Sequence, residues 1–270
     1  MDSLNYSHPV TPDLTIVVPT YNERGRLAEL VDAVFAAAGH ASLALELVVV
    51  DDNSPDGTGV LADELARTRP MQVVRRAGKL GLGTAVVAGF AVARAPVVGV
   101  MDADFSHPPS LVPTLFAAMR ETGADVVVGS RYIPGGSTPD WPWSRRLLSR
   151  VGCLLARPVA PIHDAASGFF IIRRDLARQV QIQAGGFKIC LELLVRGAPA
   201  HVVEVPFRFD DRELGESKMS LREASGYLIQ LRDLYLLRLR RPSHRIARYQ
   251  QLTVDDVGRL SRTSAPPPAR

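Results

Sequence analysis

The sequence predicts an α/β domain built on a doubly wound, mostly parallel sheet, and three observations carry that expectation. Apolar runs of strand length alternate with segments whose apolar residues recur at helical spacing. Four such alternations fall within residues 14–121. The strands at Leu14, Leu45 and Val97 run into loops bearing carboxylates, at Glu23, Asp52 and Asp102/Asp104, which places those acids together at the C-terminal edge of the sheet, where open α/β folds bind ligands.

Leu14–Pro19 is an apolar run closed by proline, and a helical pattern from Arg24 repeats at Leu27, Leu30, Val31, Val34 and Phe35. The loop Pro19–Glu23 therefore leaves the end of a strand. Leu45–Asp51 is a second strand, followed by the turn Asp52–Thr58 and a helix over Val60–Arg67. Met71–Arg75 is a third. Gly78–Thr84 then leads into a helix over Ala85–Ala93, but this glycine run follows the third strand and lacks the last glycine of a dinucleotide fingerprint. Its glycines either let backbone approach a phosphate or let the helix pack on the sheet. A fourth strand, Val97–Met101, ends in Asp102-Ala103-Asp104; a helix over Leu111–Glu121 leads to a fifth strand at Asp125–Gly129.

Beyond Gly129 the pattern loosens into a Gly-, Pro- and aromatic-rich loop and a helix over Arg145–Arg157. Trp141 and Trp143 beside Arg145 and Arg146 suit a phosphate held near a membrane interface, or are two anchoring aromatics of an ordinary loop. Phe169–Arg173 reads as a strand, Phe187–Arg196 as a helix and His201–Phe207 as a strand. The loop Asp210–Lys218 can clamp a diphosphate through Arg212 and Lys218, or is a solvated surface loop. Arg222–Arg240 is a helix with an apolar stripe and a basic end, suited to a membrane surface or to packing on the body. Residues 1–12 and 242–270 read as disordered, leaving residues 13–221 as the main folded domain and residues 222–241 as an amphipathic interface helix.

Composition narrows the class. With 270 residues, 46% hydrophobic and 22% charged, the chain is an ordinary globular protein. Of its net charge of +4, residues 238–270 contribute eight Arg against Asp255 and Asp256, so residues 1–237 sum to −2. A nucleic-acid partner has no support from that balance, whereas a basic end suits an anionic membrane. No apolar run reaches the roughly 18 residues of a membrane span, since Ala85–Met101 is broken by Arg94 and Pro96. Two cysteines, Cys153 and Cys190, lie in apolar helical stretches, as reduced thiols do, and the opening residues carry no leader pattern. The expected location is cytoplasmic.

Asp102 and Asp104 offer hard oxygens suited to Mg²⁺ or Mn²⁺ carrying a phosphate; in isolation an Asp-x-Asp is also a common solvated turn. The company it keeps decides. Pro19-Thr20-Tyr21-Asn22-Glu23, Val50-Asp51-Asp52-Asn53-Ser54-Pro55-Asp56-Gly57-Thr58, Lys79–Thr84, Met101–His107, Gly129-Ser130-Arg131-Tyr132, Ser167-Gly168-Phe169 and Gly215-Glu216-Ser217-Lys218 occur in this order. Over Leu14–Arg240 the chain thus resembles the dolichol- or polyprenol-phosphate mannose synthases, inverting family 2 glycosyltransferases with the GT-A fold.

That resemblance implies transfer of mannose from GDP-mannose to a polyprenyl monophosphate. It implies that Pro19, Tyr21, Glu23, Val50 and Asp52 hold the nucleotide and that Asp102, Ala103 and Asp104 sit at the nucleotide sugar. Asp102 and Asp104 match the metal-binding acids, with Ser106 at a further ligand position. Arg131, Arg145 and Ser149 match the lipid-phosphate site; Lys188, Arg212 and Lys218 match positions that hold the donor. Asp104, Arg131 and Arg145 carry the catalytic expectation. Other expected partners are a membrane surface and a membrane protein that recruits the chain. The alternatives are a UDP-sugar-dependent glycosyltransferase acting on the same acceptor and a non-catalytic scaffold that retains the nucleotide pocket.

Overall fold

Strand β2 (Leu45–Asp51) has all seven residues buried, the condition of a parallel strand with helices over both faces. It belongs to an eight-stranded sheet with β1 (Leu14–Thr20), β3 (Met71–Arg75), β4 (Val97–Val100), β5 (Val126–Ser130), β6 (Phe170–Arg173), β7 (His201–Pro206) and β8 (Arg248–Gln251), in the order β3-β2-β1-β4-β6-β5-β7-β8. The structure, a computed structural model, describes residues 11–180, 182, 188–210, 221–243 and 245–263.

The helices are α1 (Arg24–His40), α2 (Thr58–Ala66), α3 (Leu82–Val92), α4 (Val112–Thr122), α5 (Trp143–Ala156), α6 (Arg174–Gln179), α7 (Ile189–Gly197), α8 (Leu221–Arg240) and α9 (Val254–Thr263). Side chains alternate along β1, sending Ile16 and Val18 to one core and Val17 to the other. The first core takes Leu30 of α1, Leu115 of α4 and Leu260 of α9. The second takes Val86 of α3, Leu193 of α7 and Leu234 of α8. Within α3, a Cβ on Gly89 would fall 2.4 Å from Val17 Cγ1, so this glycine permits close helix-sheet packing. Gly81, whose surroundings are open, is instead needed for its φ of +100°.

Strand β6 alone runs against the others, antiparallel to both β4 and β5. Its reversed direction brings its first residue, Phe170, opposite Val100. Ser167-Gly168-Phe169 therefore reaches the edge where β1, β2, β4 and β5 end. Register places Pro19 beside Val50 and Thr20 beside Asp51 at that edge.

The expectation of a disordered tail from residue 242 is corrected over residues 245–263. There β8 pairs parallel to β7, and α9 returns to pack on α4, with Thr114 and Ser261 hydroxyls 3.0 Å apart. Helix α8 is thus the crossover of a β7–α8–β8 unit. Its four-residue strand was illegible because Arg248-Tyr249-Gln250-Gln251 alternates no apolar residues, and its pairing comes entirely from β7. On α8, Leu231 and Leu234 are buried while Leu228, Ile229, Leu236 and Leu239 are exposed. Burying two leucines is worth about 1.5–3 kcal/mol each, which fixes the helix to the body and leaves an apolar flank outside.

Candidate active site

Two loops that leave β1 and β2 are sewn together by side chains reaching backbone N–H groups. Asp51, wholly buried, accepts from the Ser54 N–H (3.1 Å) and hydroxyl (2.5 Å). The Ser54 oxygen in turn accepts from the Asn22 N–H at 3.0 Å, and Thr58 Oγ1 accepts from the Glu23 N–H at 2.9 Å. Asn22 and Asn53 take φ of 61° and 58°, a left-handed conformation that asparagine tolerates better than most residues.

Of the residues expected at the nucleotide, Pro19 and Glu23 are half-buried and Tyr21 is exposed. Lys79 Nζ sits 4.6 Å from the Tyr21 ring centroid, so a residue of the glycine-rich loop closes over this end of the edge. Val50 is wholly buried against the second core, which leaves only its backbone for a ligand.

Asp52 is buried beside Arg76, whose Nη1 is 2.9 Å from Asp52 Oδ1. The pair is close but poorly aimed, since that oxygen has no hydrogen-bond donor among the described residues. Burial pushes the Asp52 carboxyl up, against the opposing pull of Arg76. Arg76 also donates to Gly81 O (3.3 Å) and Thr84 Oγ1 (2.6 Å), tying the glycine-rich loop to the β2 edge. Sequence reading missed Arg76; its only signal was a cation just past β3, facing a row of loop carboxylates.

The Asp102–His107 turn is built differently. Phe105 has φ of +64°, unusual for a bulky residue, and this bend folds Ser106 back so that its N–H (3.1 Å) and hydroxyl (2.6 Å) both donate to Asp104 Oδ1. The Ser106 hydroxyl, expected at a metal-ligand position, donates its proton to Asp104 and keeps lone pairs on its oxygen. Ala103 is buried and Asp104 nearly so, whereas the Asp102 side chain is 35% exposed.

His107 Nδ1 accepts the Asp102 N–H at 3.0 Å, so its 3.8 Å approach to Asp102 Oδ2 is not an ion pair. Burial holds the imidazole below its ordinary value, and its ring stacks on Phe169 at 4.9 Å. His107 is a neutral packing residue.

Two carboxylates one residue apart fit Mg²⁺ or Mn²⁺ in donor chemistry. Among the described residues no group of three or more His, Cys, Asp or Glu side chains is placed to hold an ion by itself. Mg²⁺ and Mn²⁺ in phosphate-handling sites take one or two protein carboxylates and complete their shell with substrate phosphates and water.

Arg131 leaves the end of β5 and is buried against Asp164, with Nε to Oδ2 and Nη2 to Oδ1 both at 2.7 Å. The Arg131 N–H joins Asp164 Oδ2 at 2.9 Å. Burial opposes the charge on Arg131, but Asp164 outweighs it and holds the guanidinium above its ordinary value. Its Cζ lies 5.3–5.5 Å from the ring centroids of Tyr132, Trp141 and Phe209. Arg145 Cζ lies 4.0 Å from the centroid of the same Trp141 ring.

The two tryptophans have separate fates. Trp141 is core and Trp143 is 76% exposed. Ser149, one helical turn beyond Arg145 on α5, neighbours the Tyr132 phenol, which burial pushes up. Lys188 shares the field of Arg131, Asp164 and Asp102, and burial, then Arg131, hold its ammonium down. Arg212 and Lys218 lie outside the described residues. Sequence reading gave Asp164 no role, because its partner Arg131 lies 33 residues away along the chain.

The family described as Glycosyl transferase family 2 matches residues 15–181. The dolichol-phosphate mannosyltransferase of Pyrococcus furiosus is 41% identical over 228 residues, covering 83% of this chain and 63% of the relative, so this chain spans less than two thirds of that protein. The polyprenol monophosphomannose synthase of Mycolicibacterium smegmatis is 42% identical over 224 residues, covering 77% of this chain and 83% of the relative. Among solved structures, a mannosyltransferase from Pyrobaculum calidifontis in complex with GDP-Man and Mn²⁺ shares the fold, with a TM-score of 0.59 at 18% identity over 83% of this chain and 64% of that one.

Proposed function

The chain belongs to glycosyl transferase family 2, and on that premise we propose that it moves mannose from GDP-mannose to a polyprenyl monophosphate, inverting the anomeric carbon. One observation carries the acceptor class. Helix α5 turns Arg145 and Ser149 toward the site and presents Trp143, Leu147, Leu148, Val151, Leu154 and Leu155 to the outside. A single helix thus offers a cation and a hydroxyl to an anionic head and an apolar face to its tail. The names of the relatives, which are mannose-transferring enzymes of lipid phosphates, support the same reading.

In this reading the acceptor phosphate binds beside Arg131 and Arg145, cations whose positions are set by Asp164 and Trp141. A phosphate monoester has a second pKa of about 6 and is mostly dianionic at neutral pH. Its oxygen attacks the anomeric carbon as the bond to the nucleoside diphosphate breaks, so no protein base need take a proton. A neutral, buried His107 agrees with that economy. Lys188, with Arg212 and Lys218 from the loop identified by sequence, would offset charge on the departing diphosphate. Asp102 and Asp104 would hold Mg²⁺ or Mn²⁺, which supplies further positive charge at that diphosphate when bound.

We place the enzyme peripherally at the inner face of the membrane. Among the described residues no helix is long and apolar enough to cross one. The outer faces of α5 and α8 lie side by side, joined by Tyr227 to Gly152 O and Tyr235 to Leu155 O, each at 2.7 Å. Exposed Arg146, Arg150, Arg240 and Arg241 flank their leucines, a pairing of apolar and basic surface suited to anionic lipid.

The test is a donor-by-acceptor assay, with labelled GDP-mannose or UDP-glucose, a short-chain polyprenyl phosphate, and Mg²⁺ or Mn²⁺. Mannosyl lipid from GDP-mannose is expected. Product from UDP-glucose alone would overturn the donor assignment, and transfer that ignores the lipid phosphate would overturn the acceptor.

A further inference from the structure

Asp164 aims Arg131, but what aims Asp164 is a carboxylate on another strand. Glu204, in the middle of β7, is wholly buried. Its Oε1 accepts the Asp164 N–H at 2.8 Å and its Oε2 accepts the His163 N–H at 2.9 Å. One side chain therefore grips two successive backbone N–H groups of the segment that carries Asp164. A buried carboxylate is costly without further donors, and the remaining one comes from the C-terminal strand: the Tyr249 hydroxyl donates to Glu204 Oε2.

Arg157, just past α5, donates to His163 Nε2, which leaves Nδ1 to carry a ring proton. His163 Nδ1 also lies 3.3 Å from Glu204 Oε2 and 3.1 Å from the Gln251 side-chain amide, so the Tyr249–Glu204 pair sits in a wider polar cluster. That Nδ1 lies 2.8 Å from the Tyr249 oxygen, which accepts while its own proton goes to Glu204. Tyr249 pairs with Val202 in the β7–β8 register, and Gln251 with Glu204, so Tyr249 and Glu204 share one face of the sheet. The route from the last strand to the site is thus Tyr249, Glu204, the 163–164 backbone, Asp164 and Arg131.

We infer that Tyr249 and Glu204 are positioning residues for Arg131, and that strand β8 completes the acceptor-phosphate site rather than merely extending the sheet. The inference rests on the proposed role of Arg131 at the acceptor. Removing the Tyr249 hydroxyl leaves Glu204 Oε2 with the longer, 3.3 Å His163 Nδ1 contact in place of its tyrosine donor, loosens the 163–164 backbone and lets the Asp164 carboxylate drift from the guanidinium. Small misplacements of a positioning group cost up to about 100-fold in rate.

The experiment uses the full chain. Tyr249→Phe, which keeps the ring, is expected to lower kcat/KM for polyprenyl phosphate about 10-fold while KM for GDP-mannose stays unchanged. Glu204→Gln, which keeps one acceptor oxygen, should act in the same direction, with a smaller loss than Glu204→Ala. A second readout does not depend on turnover: the Arg131 Nε–H, donated to a buried carboxylate, gives a slowly exchanging signal in ¹⁵N spectra, and Tyr249→Phe should accelerate its exchange. Arg259→Ala, which breaks a surface pair between α9 and α4, should alter neither.

Wild-type acceptor kinetics together with an unmoved Arg131 signal in Tyr249→Phe would overturn the inference. So would equal losses toward donor and acceptor, the mark of general destabilisation. If the unmodified chain transfers no mannose to the lipid phosphate, the functional reading fails by itself, and the Arg131 signal alone decides whether Tyr249 controls that pair.

Discussion

Asp51 and Asp164 are both wholly buried carboxylates at the binding edge of the sheet, yet their charges are offset in opposite ways. Asp51 is held by neutral donors, the N–H and hydroxyl of Ser54 and the hydroxyl of Thr20 at 3.4 Å, with Arg75 no nearer than 4.0 Å. Asp164 faces a guanidinium through two 2.7 Å bonds. At the β1–β2 end Asp51 thus shapes a loop through neutral donors, while a separate cation, Arg76, ties the glycine-rich loop to the same edge. At the β5–β7 end the carboxylate instead fixes a guanidinium within the core. The difference predicts where function and stability separate and where they do not.

The largest expected effect lies between those ends. The one-third-exposed Asp102 carries little of the fold, so Asp102→Ala should cost activity on the order of 10²–10³-fold, the scale of losing one preorganised electrostatic group. Its melting temperature should stay within about 2 °C, because an exposed substitution usually changes stability by under roughly 0.5 kcal/mol. Parallel loss of both, followed by scanning calorimetry and transfer assays, would mean that this acid is structural.

At Asp164 the two quantities should fall together. Asp164→Ala strands a buried guanidinium and is expected to cost about 3–5 kcal/mol of stability, along with acceptor-dependent activity. Asp51→Asn removes no charge partner at bonding distance and should cost about 1–2 kcal/mol, the scale of an impaired buried hydrogen bond. Urea unfolding of the two variants measures the gap directly. Equal costs would erase the distinction between the ends.

The same contrast explains what could be read from the chain. Asp51, Ser54, Asp56 and Thr58 are local partners, two or three residues apart, and short polar motifs announce such turns. The Arg131–Asp164 pair joins residues 33 apart and the Glu204–Tyr249 pair residues 45 apart. Nothing in periodicity encodes either. The antiparallel β6 was legible as a strand but not in direction, which depends on β4 and β5 already flanking it. Resemblance located Arg131 but not its counter-ion, because a motif marks what touches the ligand and leaves unmarked the residues that hold it. The tail failed for a related reason: α9 shows its apolar side to α4 and β7, through Leu260 and its neighbours, and a 10-residue helix with few apolar residues reads as polar chain until its partners are known.

The smallest effect concerns the outer surface of α5, where the structure separates the two sides of one helix. Cys153 and Ala156 are buried, while Leu154, between them, is 60% exposed. Leu154→Ser should therefore leave the fold within about 0.5 kcal/mol of the parent. If that face meets lipid, the same substitution removes part of the 1.5–3 kcal/mol that burying a leucine is worth. Partitioning onto vesicles containing anionic lipid should then drop by roughly 10-fold, equivalent to about 1.4 kcal/mol. Raising the salt concentration should weaken the residual binding, since each arginine near an anionic surface contributes about 1 kcal/mol that ions screen. Cosedimentation reads both. Unchanged partitioning of Leu154→Ser would assign the exposed leucines of α5 to something other than a bilayer, and the acceptor's tail would have to be sought on α8 alone.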